Sequence, residues 1–127
     1  MMQKINIGLF GYGVVGESLY HVLQHSKTVD ATIRKICVKQ KDKQRSLTQN
    51  HFTFNKDDII NDPEINLVVE LIDDAEEAYD IVKRCLENKK GVVSGNKKML
   101  AHHLDELIEL QQKTETSLLY DASACGS

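Results

Sequence analysis

The 127-residue sequence predicts an α/β fold, a doubly wound parallel sheet in three layers, and three observations carry that prediction. Short apolar, β-branched segments alternate with longer segments whose apolar residues recur at three- and four-residue spacing, as strands joined by right-handed helical crossovers do. A glycine cluster closes the first apolar segment and opens the first helical one. The length suits one domain with one core, spanning residues 1–127.

Taken in order, Ile5-Asn6-Ile7-Gly8-Leu9-Phe10 is apolar and ends at glycine, so it reads as a buried parallel strand. From Val14 to about Leu23, the residues Val15, Leu19, Val22 and Leu23 mark one side of a helix. Ile33 to Val38 is a second strand, and the charged run from Lys39 to Arg45 a solvated loop. Lys56 to Asp62 is a short helix stopped by Pro63, because a residue before proline is pushed out of the helical region. Ile65 to Ile72 is a third strand. Asp74 to Asn88 is an amphipathic helix with Ala78, Ile81, Val82, Cys85 and Leu86 on its apolar side, and Gly91 follows it. Val92-Val93-Ser94 is a brief fourth strand, Met99 to Lys113 a helix carrying Leu100, Leu104, Leu107, Ile108 and Gln111, and Ser117 to Tyr120 a fifth strand. The small residues from Asp121 to Ser127 read as a chain that continues into a further region.

Composition narrows the function classes. Hydrophobic residues make up 41% and charged residues 28%, as in a packed globular domain rather than a disordered chain. Sixteen basic against 19 acidic residues give a net charge of −3, so bulk charge draws the chain to neither nucleic acid nor an anionic membrane. No apolar run approaches the roughly 20 residues that span a bilayer. Cys37, Cys85 and Cys125 are odd in number and lack a Cys-x-x-Cys pair, which speaks against a disulfide framework or structural zinc and for a reducing cytoplasm.

Chemistry first enters at Gly11-Tyr12-Gly13-Val14-Val15-Gly16, which follows a strand and opens a helix. In that context Gly11 allows a sharp turn, Gly13 lets a pyrophosphate approach the backbone, and Gly16 lets the helix pack on the strand. The helix start offers its N–H groups and a partial positive charge of about half a unit. The expected fold is therefore of the Rossmann type, and the expected ligand a nicotinamide dinucleotide. An NAD site generally carries an acidic residue at the end of the second strand to hold the ribose hydroxyls. Here that place offers Val38-Lys39-Gln40, and Lys39, Lys43 and Arg45 suit the 2′-phosphate of NADP, alone or beside NAD. The plain alternative for these three is a solvated charge run.

Two further stretches, Val69-Glu70-Leu71-Ile72-Asp73-Asp74 and Gly91-Val92-Val93-Ser94-Gly95-Asn96-Lys97-Lys98, resemble the strand ends that border the nicotinamide in homoserine dehydrogenases. The likeness covers essentially the whole chain. It implies an NAD(P)-dependent oxidoreductase that interconverts L-homoserine and L-aspartate 4-semialdehyde, with Ile72, Ser94 and Asn96 beside the cofactor and Lys97 in both cofactor contact and proton transfer. It further implies a monovalent cation near Asp121, Ala124 and Gly126, a homo-oligomeric parent, and a separate substrate-binding region, without which the chain binds nucleotide but does not turn over. Asp73 and Asp74 depart from the paired glycines common at that place, and Ser94-Gly95 from Thr-Ala.

An alcohol gives up its hydride only as its hydroxyl proton leaves, so a base must lie within hydrogen-bond reach. A lysine amine ordinarily titrates at about 10.4, so this role calls for burial or a nearby cation. Read without the resemblance, Lys97 is a solvated residue at a helix start. Cys125 supports a rival, an enzyme like aspartate-semialdehyde dehydrogenase that attacks an aldehyde with a thiolate; a third reading is a sensor that binds NAD(P) without chemistry. His21 and His25, four apart, have metal-binding spacing but no carboxylate or cysteine companions. His102 and His103 point in different directions from a helix, His51 lacks an evident partner, and Cys37 and Cys85 read as small core residues.

Overall fold

The computed structural model describes residues 4–26, 28, 30–39 and 51–120. Six strands form one parallel sheet: β1 (Ile5–Phe10), β2 (Ala31–Cys37), β3 (Phe52–Thr53), β4 (Leu67–Glu70), β5 (Gly91–Ser94) and β6 (Leu118–Tyr120). Four helices connect them: α1 (Val14–His25), α2 (Asp57–Ile60), α3 (Ala75–Glu87) and α4 (Lys97–Thr114). The strand order is β3-β2-β1-β4-β5-β6, so the direction in which strands are added reverses between β1 and β4. That order is the doubly wound arrangement expected, with helices on both faces.

Alternation along β1 divides the core. Ile7 and Leu9 face α1 and pack with Ile33, Ile36, Val38 and Val69, against Leu19, Tyr20 and Leu23 of the helix. Phe10 faces the other way and joins Val68 and Val92 under Ile59, Ile60, Ile81, Leu86, Met99 and Leu107. On α3 the five residues assigned to the apolar side, Ala78, Ile81, Val82, Cys85 and Leu86, are the buried ones. The 3.6-residue repeat alone selects them.

Three local expectations change. On α1, Val15 and Val22 remain 64% and 65% exposed, and Gly16 with the half-buried Leu19, Tyr20 and Leu23 faces the sheet. Those four follow i, i+3, i+4, i+7 spacing, while the valines lie on the flank. The third expected strand is shorter at both ends: Ile65 sits in a turn, its N–H bonded to the carbonyl of Asp62. The strand stops at Glu70 because the Ile72 N–H turns back to the Glu70 carboxylate, at 2.9 Å. Finally, β3 was not expected; it pairs Phe52 and Thr53 with Ile36 and Cys37.

Charged side chains tie α2 to α3. Lys56 reaches Asp80 at 2.7 Å and Glu77 at 3.2 Å, and Arg84 reaches Asp57 at 2.6 Å. The bonds to Asp80 and Glu77 raise the Lys56 pKa against the opposing effect of burial. Lys90 is buried, and its amine donates to the carbonyls of Asp62 and Ile65, closing the turn ahead of β4. No helix among the described residues is long and apolar enough to cross a membrane.

Candidate functional site

The reversal of strand order leaves a crevice beyond the carboxyl ends of β1 and β4, where open α/β sheets collect their ligands. The Leu71 N–H bonds to the Phe10 carbonyl at 2.9 Å and the Gly11 N–H to the Cys37 carbonyl at 3.0 Å, so the turn after β1 is anchored on both sides. Gly11 then adopts φ +93°, a left-handed conformation strained for any residue with a Cβ.

Gly16 answers a different need. A Cβ there would lie 2.9 Å from the Gly11 carbonyl oxygen and 3.4 Å from Leu9 Cδ2. The missing side chain lets α1 close on β1. Gly16→Ala therefore lowers unfolding free energy by about 1–3 kcal/mol through overpacking; an unchanged midpoint in thermal or urea denaturation contradicts this account.

Gly13 caps α1 and faces open space, with nothing within 4 Å of where a Cβ would stand. No side chain caps this helix. By contrast, Asp74 accepts from the Glu77 N–H at 3.0 Å to cap α3, and Asn96 accepts from the Met99 N–H at 2.9 Å to cap α4. The first-turn N–H groups of α1 have no acceptor within their own helix. They face a crevice of about 860 Å³, within the roughly 300–1,000 Å³ range of small-molecule sites.

Phe10 and the turn from Gly11 to Gly16 form one wall of that crevice, Cys37, Val38, Lys39, Phe54, Asn55 and Lys56 a second, and Leu71 to Asp74 with Glu77 and Ile81 a third. Lys39 is exposed at the end of β2, while Lys56 is engaged by Asp80 and Glu77. Asp74 is held below the usual carboxylate range, first by the Glu77 N–H, with Lys39 and Lys98 adding favourable charge. Cys37 is half-buried and its thiol is pushed up to about 11, mainly by burial, which leaves it protonated at neutral pH.

The structure therefore brings Gly11, Tyr12, Gly13, Val14, Val15, Gly16, Lys39 and Ile72 to one crevice. Ser94 and Asn96 are buried at the adjoining end of β5 and connect to it by hydrogen bonds. Asn96 Nδ2 donates to the Ile72 carbonyl at 3.0 Å, and the Ser94 hydroxyl donates to Glu70 at 2.6 Å. Lys97, the first residue of α4, is exposed and stands outside the crevice lining. Lys43, Arg45, Asp121, Ala124, Cys125 and Gly126 lie outside the described residues.

Among the residues in or beside the crevice that were not singled out as site residues are Phe54, Asn55, Lys56 and Glu70. The first three reach the crevice through the pairing of β3 with β2, which no local pattern announces. Glu70 did leave a signal, a carboxylate within an otherwise apolar strand, since an acidic residue is seldom fully buried without a partner. It is 0% exposed, and burial raises its pKa against the opposing bonds from Ser94 and the Ile72 N–H.

The remaining candidates take the plain readings. Cys85 is buried, its thiol pushed up to about 12 by burial. His21 and His25 are exposed; contrary to the expectation of no carboxylate companion, Glu17 Oε1 lies 3.9 Å from His21 Nε2, but no group of three or more histidines, cysteines and carboxylates that could hold a metal occurs among the described residues. His103 stacks on Tyr79 with ring centroids 3.9 Å apart, while His102 faces outward.

The strand order, the glycine turn and the uncapped helix define a nucleotide-binding domain of the Rossmann class. A family model described as the NAD-binding domain of homoserine dehydrogenase matches residues 11–121. The chain is 30% identical to homoserine dehydrogenase of Bacillus subtilis over 134 residues, covering 98% of this chain and 31% of that protein. It is 33% identical to homoserine dehydrogenase of Helicobacter pylori over 135 residues, covering 99% and 31%. Among solved structures, homoserine dehydrogenase of Thiobacillus denitrificans superposes with a TM-score of 0.86 at 29% identity, covering 95% of this chain and 30% of that one. A structure of S. aureus homoserine dehydrogenase gives 0.81 at 34%, covering 96% and 33%. The chain belongs to the homoserine dehydrogenase family, as its NAD-binding domain, and spans about a third of the length of the curated relatives it matches.

Proposed function

We propose that this chain is the coenzyme-binding part of an NADP-using homoserine dehydrogenase, whose complete enzyme interconverts L-homoserine and L-aspartate 4-semialdehyde on the route to threonine and methionine. The observation that carries this reading is the uncapped start of α1, presented by the glycine turn where the strand order reverses. A diphosphate fits there: the open space at Gly13 admits it, and the first-turn N–H groups satisfy its charge.

The chain's own residues divide the work along the crevice. Lys39, exposed at the end of β2, meets the 2′-phosphate of the adenosine half, with Lys43 and Arg45 in support. Ile72, Ser94 and Asn96 border the opposite half. The nicotinamide ring, when bound, accepts or returns a hydride. Lys97 takes the hydroxyl proton of the alcohol or returns it to the aldehyde oxygen. The substrate's amino and carboxyl groups are held by parts of the complete enzyme outside this chain. We also propose a homo-oligomeric parent, a monovalent cation near Asp121, Ala124 and Gly126, and a cytoplasmic setting.

Calorimetric titration of NADH and NADPH, each into this chain, tests the core of the proposal. Saturable heat with NADPH is expected, and no heat with either coenzyme would remove the nucleotide reading. Lys39→Glu is expected to weaken NADPH binding about tenfold or more, by losing a charge-assisted contact and adding a repulsive one, while leaving NADH binding nearly unchanged. Equal effects on both coenzymes would take the 2′-phosphate away from Lys39.

A further inference from the structure

Glu70 is the one fully buried carboxylate among the described residues, and no step proposed above uses it. A neutral side chain in this strand would avoid the cost of removing a charge from water. Each carboxylate oxygen has its own donor: the Ser94 hydroxyl at 2.6 Å, from β5, and the Ile72 N–H at 2.9 Å, from the turn after β4. The circuit then closes through Asn96. Its N–H lies 3.4 Å from Ser94 Oγ, its Nδ2 donates to the Ile72 carbonyl at 3.0 Å, and its Oδ1 caps α4. The Gly95 N–H adds a bond to the Glu70 carbonyl at 2.9 Å.

Two loops that leave neighbouring strands are thus held by one buried side chain. The glycine turn occupies the middle of the crevice and Lys39 marks its adenosine side, so the ends of β4 and β5 flank the remaining half of a dinucleotide laid across the reversal. We infer that Glu70 is a positioning residue for the nicotinamide half of the coenzyme, acting through Ser94, Ile72 and Asn96 to keep the β4 and β5 strand ends in one register. The inference rests on the nucleotide site proposed above. It assigns Glu70 no contact with coenzyme or substrate; the residue sets where the Ile72 turn and the first turn of α4 stand.

The test compares two ligands that differ only in the half concerned. Whichever of NADH and NADPH binds the wild-type chain more tightly is titrated beside its counterpart without nicotinamide, ADP-ribose or 2′-phospho-ADP-ribose. Glu70→Gln is expected to weaken the complete coenzyme about tenfold, on the scale of one lost charge-assisted hydrogen bond, and to leave the ring-free ligand within about twofold. Ser94→Ala cuts the same circuit from β5 and should give the same selective loss, while Ser94→Thr, which restores a hydroxyl, should recover it. If Glu70→Gln does not fold, Glu70→Asp, which keeps the charge but draws the carboxylate back from the Ser94 hydroxyl and the Ile72 N–H, is put through the same pair of titrations and decides the matter. Equal loss of both ligands, or no loss of either, overturns the inference while leaving the nucleotide site in place. Failure of the wild-type chain to bind any of these ligands overturns the site itself and this inference with it.

Discussion

Gly13→Val should fold and yet lose nucleotide affinity by at least about a hundredfold. The two halves of that expectation have separate physical causes. Nothing lies within 4 Å of where a Cβ would sit at Gly13, and the backbone there is extended, so a valine meets no steric obstacle. Its cost to the fold is that of a poorer helix cap, about 1 kcal/mol or less. In the liganded protein the same volume belongs to the diphosphate. Displacing that group from the α1 amides sacrifices charge-assisted hydrogen bonds of about 1.5–3 kcal/mol each, and two of them exceed the roughly 2.8 kcal/mol that a hundredfold represents. Calorimetry with the coenzyme and a urea melt of the same sample check both halves. Retained affinity would move the diphosphate away from the glycine turn, and a collapsed melt would place Gly13 with Gly16 among the packing glycines.

Lys97→Ala in the complete enzyme should depress turnover by about two to four orders of magnitude, the usual scale for removing a general acid or base, with coenzyme affinity little altered. The placement of Lys97 argues that stability did not select it. It opens α4 beside Lys98, with no acidic residue in the first turn, so two cations face the positive end of the helix dipole. An alanine relieves that repulsion, and the variant should melt at or slightly above the wild-type temperature. A residue that opposes its local electrostatics invites a functional explanation. Steady-state kinetics alongside coenzyme titration separate the roles: wild-type turnover would exclude Lys97 from proton transfer, and a parallel fall in coenzyme affinity would recast it as a binding residue.

Much of the fold was readable because burial imposes periodicity on neighbouring residues. The apolar side of α3 was assigned residue for residue from spacing, and the strand, glycine turn and helix at the start of the chain followed from local chemistry. Where reading failed, the deciding partner was distant. Val15 and Val22 are as apolar as Leu19 and Leu23, but α1 turns its Gly16 edge toward β1 because only there can it approach closely. The two residues of β3 carry no repeat of their own and become a strand only by pairing with Ile36 and Cys37.

The candidate site divides along the same line. Residue order alone determined the glycine turn and the alternation that makes a parallel sheet, since each depends on groups adjacent along the chain, whereas the Asn96-Lys97 pair was singled out by its resemblance to homoserine dehydrogenases. Tertiary structure decided that Phe54, Asn55 and Lys56 share a crevice with Gly13, and that Glu70 lies between Ser94 and the Ile72 N–H. Those relations join side chains up to dozens of residues apart, and only the packing of the sheet brings them within hydrogen-bonding range.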